Sequence, residues 1–209
     1  MSDAQVLSGA HVRLEPLALR HVPGLVAAAG EDPHAFPWSA VPLGAGAVRD
    51  YVDTALAWQA QGSALPFATV RVADGVVLGS TRFFLIERWA WPSGHARAAH
   101  DGPDGCEIGY TWLTPGAMRT AANTEAKLLM LSFAFERWQV LRVCFHTDVR
   151  NERSVKAMTR MGGKFEGVLR AHRLATDGQA RDSARFSIVA GEWPDVKRRL
   201  EAYLAAPRP

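Results

Sequence analysis

The sequence predicts an α/β (α+β) fold, one domain of helices packed around a single mixed sheet. Three observations carry this. Apolar residues recur with a period of two in some segments and with a helical period in others, and the two kinds mix along the chain. No internal repeat and no linker divides the 209 residues, a length that fits one domain with a sizeable core. The composition is that of an ordinary globular protein, 48% hydrophobic and 22% charged.

The elements follow in order. Residues 11–17 alternate polar and apolar and read as a strand stopped by Pro16. Residues 19–29 read as a helix ending near Gly30, and residues 33–46, with three prolines and two glycines, as a loop. Residues 47–61 place Val48, Val52, Ala55 and Leu56 on one helical face. Residues 67–72 and 76–86 flank Asp74-Gly75 and predict a hairpin. Residues 88–105 hold Trp89, Trp91, His95 and His100 among prolines and glycines and read as a long loop insertion. Residues 106–113 predict a strand, 123–138 a helix, and 141–149 a strand covered on both faces. A helix over 152–161, ended by Gly162-Gly163, precedes late strands at 164–169 and 184–189 and a closing helix at 195–204. Leu128, Leu129, Phe133 and Phe135 read as core.

Composition also narrows function. The net charge is +3, with four lysines and no dense basic run interleaved with aromatics, which argues against nucleic-acid binding. No apolar run approaches membrane-span length, and the first residues lack a leader pattern, so no membrane association and a cytoplasmic location are expected. Cys106 and Cys144 show no metal or disulfide spacing; Cys144, in an apolar run, reads as a buried thiol. No GxGxxG follows an early strand, which argues against a dinucleotide-binding oxidoreductase.

The informative region is 107–167. A strand ends in Thr114-Pro115-Gly116, and the loop Ala117-Met118-Arg119-Thr120-Ala121-Ala122-Asn123 leads into a helix. Small residues before a helix N-terminus let backbone N–H groups and the helix dipole meet an anion. The plainer reading is an ordinary loop with Asn123 as N-cap.

The loop resembles, with departures, the Gln/Arg-x-x-Gly-x-Gly/Ala pattern of the GNAT superfamily: Met118, Ala121 and Asn123 stand where Gln or Arg, Gly, and a small residue are usual. The surroundings match better. Val12-Arg13-Leu14-Glu15-Pro16-Leu17, the strand from Glu107 to Pro115, Asn123-Thr124-Glu125-Ala126-Lys127, Asn151-Glu152-Arg153-Ser154, Gly162-Gly163-Lys164-Phe165-Glu166-Gly167 and Glu192-Trp193-Pro194 resemble the ribosomal-protein N-terminal acetyltransferase (Rim-type) branch. Nearly the whole chain except the insertion is covered. The resemblance implies a single GNAT-like domain whose mixed, mostly antiparallel sheet is splayed at the cofactor site, with helices on both faces. It implies an N-acyltransferase that moves an acetyl group from acetyl-CoA (coenzyme A) directly to a primary amine, a protein N-terminus or a small molecule.

It also implies roles. CoA binds at Met118, Arg119, Thr120, Ala121, Ala122, Asn123 and Thr124, with backbone groups of Trp112 and Leu113 and the side chains of Asn151 and Ser154 along the pantetheine arm. Glu107 is the leading general base, acting directly or through water, and His172 the second candidate. Ser154 would donate to the departing thiolate; its plainer role, with Asn151, is helix capping. Tyr110 is a further candidate acid or a core residue. Arg173 stands where related enzymes can carry a glutamate. An acyl donor such as succinyl-CoA and a catalytically weak CoA-binding regulatory module are the competing readings. No metal site is expected. The insertion is expected to border the acceptor entrance or to form the contact of a homodimer.

Overall fold

The computed structural model describes residues 5–206. The strands are β1 (Leu7–Ser8), β2 (Val12–Pro16), β3 (Ala64–Arg71), β4 (Val77–Glu87), β5 (Gly105–Leu113), β6 (Arg142–Asp148), β7 (Lys164–Leu174) and β8 (Ala180–Val189). The helices are α1 (Val22–Gly30), α2 (Gly44–Ala60), α3 (Ala121–Ser132), α4 (Glu152–Met161) and α5 (Trp193–Ala205). One sheet holds all eight strands in the order β1-β2-β3-β4-β5-β6-β8-β7. Every neighbouring pair is antiparallel except β5 and β6.

The predicted elements are all present, with shifted ends. α2 begins at Gly44, inside the segment expected to be a loop: Pro42 lies just before its N-cap Leu43, and Gly44 and Gly46 fall in its first turn. The last two strands are longer than expected and form a projecting hairpin whose polar residues hid its length. α4 ends where predicted, at Gly162 with φ 110°, a left-handed cap suited to glycine. α3 continues into one π-helical turn, Phe133–Arg137.

Two apolar cores cover the two faces of the sheet. The larger packs Phe67, Phe83, Ile108 and Val143 against Met130 and Leu131 of α3 and Leu200 of α5. The smaller packs Ala68, Val70 and Trp112 against Leu25 of α1 and Val48 and Val52 of α2. Cys106 is the buried thiol; Cys144 is half-buried, with its sulfur 3.0 Å from Arg142 Nε, contrary to the sequence reading. β6 shows one face to apolar residues and the other to a polar layer, and Cys144 lies on the polar face.

Lys127 lies between α3 and the sheet, with Nζ 2.7 Å from Thr111 Oγ1 and 3.3 Å from Thr81 Oγ1. Burial pushes its pKa down from 10.5 to about 7. In the unfolded chain the amine holds its proton to a higher pH, so between these values the unfolded state binds more protons and stability rises with pH. Below pH 7 both states are protonated and the full cost of the buried charge is present. The difference in stability between Lys127→Met and wild type should therefore shrink by on the order of 2 kcal/mol from pH 7 to pH 9. Urea unfolding at both pH values checks it, and parallel curves would contradict it.

Candidate active site

β5 and β6 pair only at Gly105–Arg142, Cys106–Val143 and Glu107–Cys144. Beyond Glu107, β5 stays bound to β4 as far as Leu113, and β6 stays bound to β8 as far as Asp148. The two strands therefore part at Glu107, and residues 108–113 have no strand partner on the β6 side. Trp112 and Leu113, the expected backbone contacts, sit at the far end of this free edge. Their side chains belong to the protein interior, Trp112 edge-on to Phe36 at 6.2 Å.

The loop after β5 is held in shape by its neighbours. Glu31, at the end of α1, accepts hydrogen bonds from the Thr114 hydroxyl and from Gly116 N, the latter at 2.7 Å. Those bonds, led by Thr114, hold its carboxyl below the usual range. The left-handed residue is Arg119, with φ 62°. Ala121 opens α3 with ordinary helical geometry, so the missing glycine costs the loop nothing here. Thr120, and not Asn123, is the N-cap: its Oγ1 accepts from Ala122 N at 3.2 Å. Asn123 lies within the first turn, and its Oδ1 is buried without a partner. Ala121, Ala122 and Thr124 are buried small residues, and the first-turn N–H groups of a helix have no intrahelical acceptor.

Across the gap, Asn151 caps α4, accepting from Ser154 N at 3.1 Å. The plainer reading of this pair thus holds, while the half-buried Ser154 hydroxyl has no protein partner among the described residues. Arg153 of α4 reaches over to the loop, with Nη1 3.0 Å from Met118 Sδ and Nη2 3.2 Å from Ala35 O. A guanidinium is thereby delivered beside position 118, where the chain lacks a polar side chain. Phe36–Ser39 and Arg150–Arg153 line a cavity of about 340 Å³ beside this bridge. A second cavity, of about 500 Å³, lies against Gly116, Thr120 and Ala122.

A cluster of titratable side chains surrounds the point of divergence. Glu107 is 3% exposed. Its Oε2 lies 2.8 Å from Nδ1 of His146 on β6 and 3.4 Å from Nη2 of Arg173 on β7. The His146 contact is short but too poorly aligned to count as a hydrogen bond, and both ring nitrogens lack an aligned partner. The His146 and His172 rings lie 5.0 Å apart. Burial first, and then the charges of Arg173, His146 and Arg181, push the His172 pKa down, so the ring is neutral at neutral pH. Backbone irregularities assemble this group. Tyr110 and Ala171 have φ 51° and 47°, and register shifts fall between Leu169 and Arg173, between Ser80 and Arg82 and between Phe84 and Glu87. Bulges of this kind re-aim side chains.

The structure thus gathers Glu107 and His172 around His146, and sets Asn151 and Ser154 at the start of the helix after β6 and residues 118–124 in the loop and first helical turn after β5. His146, Arg153 and Arg173 are the partners the sequence reading did not assign. His146 stands on the face of β6 shared with Cys144, and two-residue alternation from Glu107's register partner would have found it. The insertion folds back on Asp104, which accepts from Trp89 N at 2.7 Å, Trp91 Nε1 at 2.8 Å and Arg97 Nε at 3.0 Å. Arg97 and His100 bind Gln139 O and Trp138 O, so this segment packs at the end of the sheet where β6 begins.

Residues 11–164 match the model of the acetyltransferase (GNAT) domain. No curated protein matches the chain. Among solved structures, a GCN5-related N-acetyltransferase from Brucella melitensis is 29% identical, with a TM-score of 0.81 over 97% of this chain and 86% of that one. A protein from T. thermophilus classed as an acetyltransferase is 34% identical, with a TM-score of 0.78 over 98% and 99%. RimJ of Mycobacterium smegmatis, solved with CoA-disulfide, is 22% identical and shares the fold, with a TM-score of 0.75 over 95% and 91%. The match over most of the chain, on a sheet that splays between two parallel strands, makes this chain a member of the GNAT acetyltransferase family.

Proposed function

We propose that the chain transfers an acetyl group from acetyl-CoA directly to a primary amine, on a protein N-terminus or a small molecule, at the point where β5 and β6 part. The observation that carries this reading is Glu107, buried at that point with its Oε2 engaged and Oε1 directed past Gly109, where an added Cβ would lie 3.7 Å from it. A carboxylate placed beside Arg173 is suited to accept the proton an amine must lose as it attacks. His172, neutral by virtue of its lowered pKa, is a second acceptor, beside His146 across the gap.

The donor's fit rests on this chain's own groups. First-turn N–H groups of α3, small side chains at Ala121 and Ala122, and the Arg119 and Arg153 guanidinium groups form a cationic mouth for a pyrophosphate. The free edge of β5 over 108–113 offers backbone donors and acceptors to the pantetheine amides. Acetyl-CoA supplies the acetyl group as a thioester. Ser154 Oγ, without a protein partner, donates a hydrogen bond to the sulfur as it becomes a thiolate.

The test is amine-dependent release of free thiol from acetyl-CoA. Wild type is expected to show it with at least one primary amine of a panel of N-terminal peptides and small amines. Ser154→Ala is expected to lose on the order of 10²-fold in kcat with an unchanged Kd for CoA. An unchanged kcat would leave Ser154 as a first-turn residue bound to its cap. CoA binding without any thiol release would favour the regulatory-module reading.

A further inference from the structure

Arg82 of β4 is 1% exposed, the largest of the fully buried side chains. Its guanidinium is boxed by aromatic faces. The carbon Cζ lies 4.2 Å from the Tyr110 ring centroid, 4.6 Å from Tyr51 and 5.4 Å from Trp58. Among the described residues it has no carboxylate partner, and its Nε and Nη2 are buried without a hydrogen-bond acceptor. A buried, uncompensated charge of this kind is costly.

The aromatic faces meet part of that cost through the ring quadrupoles. They give nothing to N–H groups that point outward in the guanidinium plane. Nε and Nη2 form one edge of that plane, and two parallel N–H groups on one edge match the two oxygens of a carboxylate. The box is built to keep this edge in place. Tyr51 is fixed by its hydroxyl, 3.1 Å from Ser80 Oγ. Trp58 and Phe84 meet the Tyr110 ring edge-on at 5.6 and 5.1 Å. The left-handed turn at Tyr110 swings that ring over the arginine, and Tyr110, 40% exposed, is the outer wall.

Position connects the box to the chemistry. Arg82 is the register partner of Gly109, two residues along β5 from Glu107, a step of roughly 7 Å. Both belong to the sheet face covered by α1 and α2. We propose that Arg82 anchors a carboxylate of one of the two substrates, on the acyl chain or on the amine acceptor, while the reacting carbonyl and amine meet at Glu107. This rests on the acyl-transfer reading and adds a substrate class to it: one partner is a short-chain acid.

The test compares matched pairs that differ in one carboxylate. In one arm succinyl-CoA is set against butyryl-CoA with a fixed amine. In the other, glutamate and aspartate are set against glutamine and asparagine as acceptors of acetyl from acetyl-CoA. Wild type is expected to prefer the acidic member at least about tenfold in kcat/KM in one arm, which identifies the source of the carboxylate. Arg82→Met should bring that ratio near one without changing the Kd of CoA. Arg82→Lys, which keeps the charge and loses the two-nitrogen edge, should recover only part of it and serves if the methionine variant does not fold. Equal use of acidic and neutral members by wild type in both arms overturns the proposal, as does a preference that survives in Arg82→Met. If acetyl-CoA is neither bound nor turned over, the acyl-transfer reading fails instead. Titration of glutarate against glutaramide, with wild type and Arg82→Met, then still decides whether Arg82 holds a carboxylate.

Discussion

Glu107→Gln is expected to lower kcat/KM for acetyl transfer by about 10²- to 10⁴-fold, the range for loss of a positioned general base. Glutamine keeps the volume and one acceptor oxygen, so the binding of acetyl-CoA, which depends on the far end of β5 and on α3, should be unchanged. Two features make the substitution informative. Glu107 is buried beside Arg173 and His146, so neutralising it also leaves Arg173 without its anion, a cost in stability. Arg173→Met separates the two effects. If the carboxylate itself takes the proton, Arg173→Met retains more activity than Glu107→Gln. If the pair serves only to hold the sheet together, both variants lose stability alike and keep turnover at low temperature. Steady-state rates with CD melting curves distinguish these outcomes, and a fully active Glu107→Gln would move the base to His172.

The second large effect is on stability. Glu125 of α3 is 6% exposed, and its carboxylate accepts from three consecutive backbone N–H groups, Ala10 at 2.8 Å, His11 at 2.7 Å and Val12 at 2.6 Å. It fastens the start of β2 to the helix that carries the loop of residues 118–124. The approach is so close that a Cβ on Gly9 would lie 2.3 Å from the Glu125 carboxyl carbon, which is why a bare backbone stands there. Glu125→Ala strands the buried Val12 N–H and two partly buried donors, Ala10 N–H and His11 N–H, and should destabilise the fold by on the order of 3 kcal/mol. A drop in Tm of roughly 10 °C follows for a domain of this size. Gly9→Ala should act in the same direction by pushing the carboxylate off its donors. A change of under about 2 °C in Glu125→Ala would mean that water replaces these bonds at no cost.

How much of this was legible in the sequence differs by level. The alternation of 11–17, the Asp74-Gly75 turn and the Gly162 cap are local signals, and each element formed where its pattern placed it. The parallel contact of β5 and β6 was legible only through the family resemblance, because no local pattern says where two strands stop pairing. Glu107 was singled out from the same resemblance, and His172 from an imidazole's usual chemistry. Their partners were not, since Tyr110 and Ala171 break the two-residue alternation with left-handed turns that no glycine announces. Arg82 was invisible for another reason: from sequence, an arginine in Phe67–Glu87 reads as a surface residue on a hairpin, and only packing reveals the box around it. The degenerate loop misled in the opposite sense. Its alanines look like a loss, yet the strained residue is Arg119, and the charge absent at Met118 arrives from Arg153.

The most direct measurement is a crystal structure with CoA bound. The expected result has the pyrophosphate on the first-turn amides of α3 within residues 119–124, Arg153 turned from Met118 Sδ to a phosphate, the pantetheine along residues 108–113, and the sulfur between Glu107 and Ser154. A pyrophosphate seated elsewhere, or a pantetheine arm lying outside the gap between β5 and β6, would contradict it.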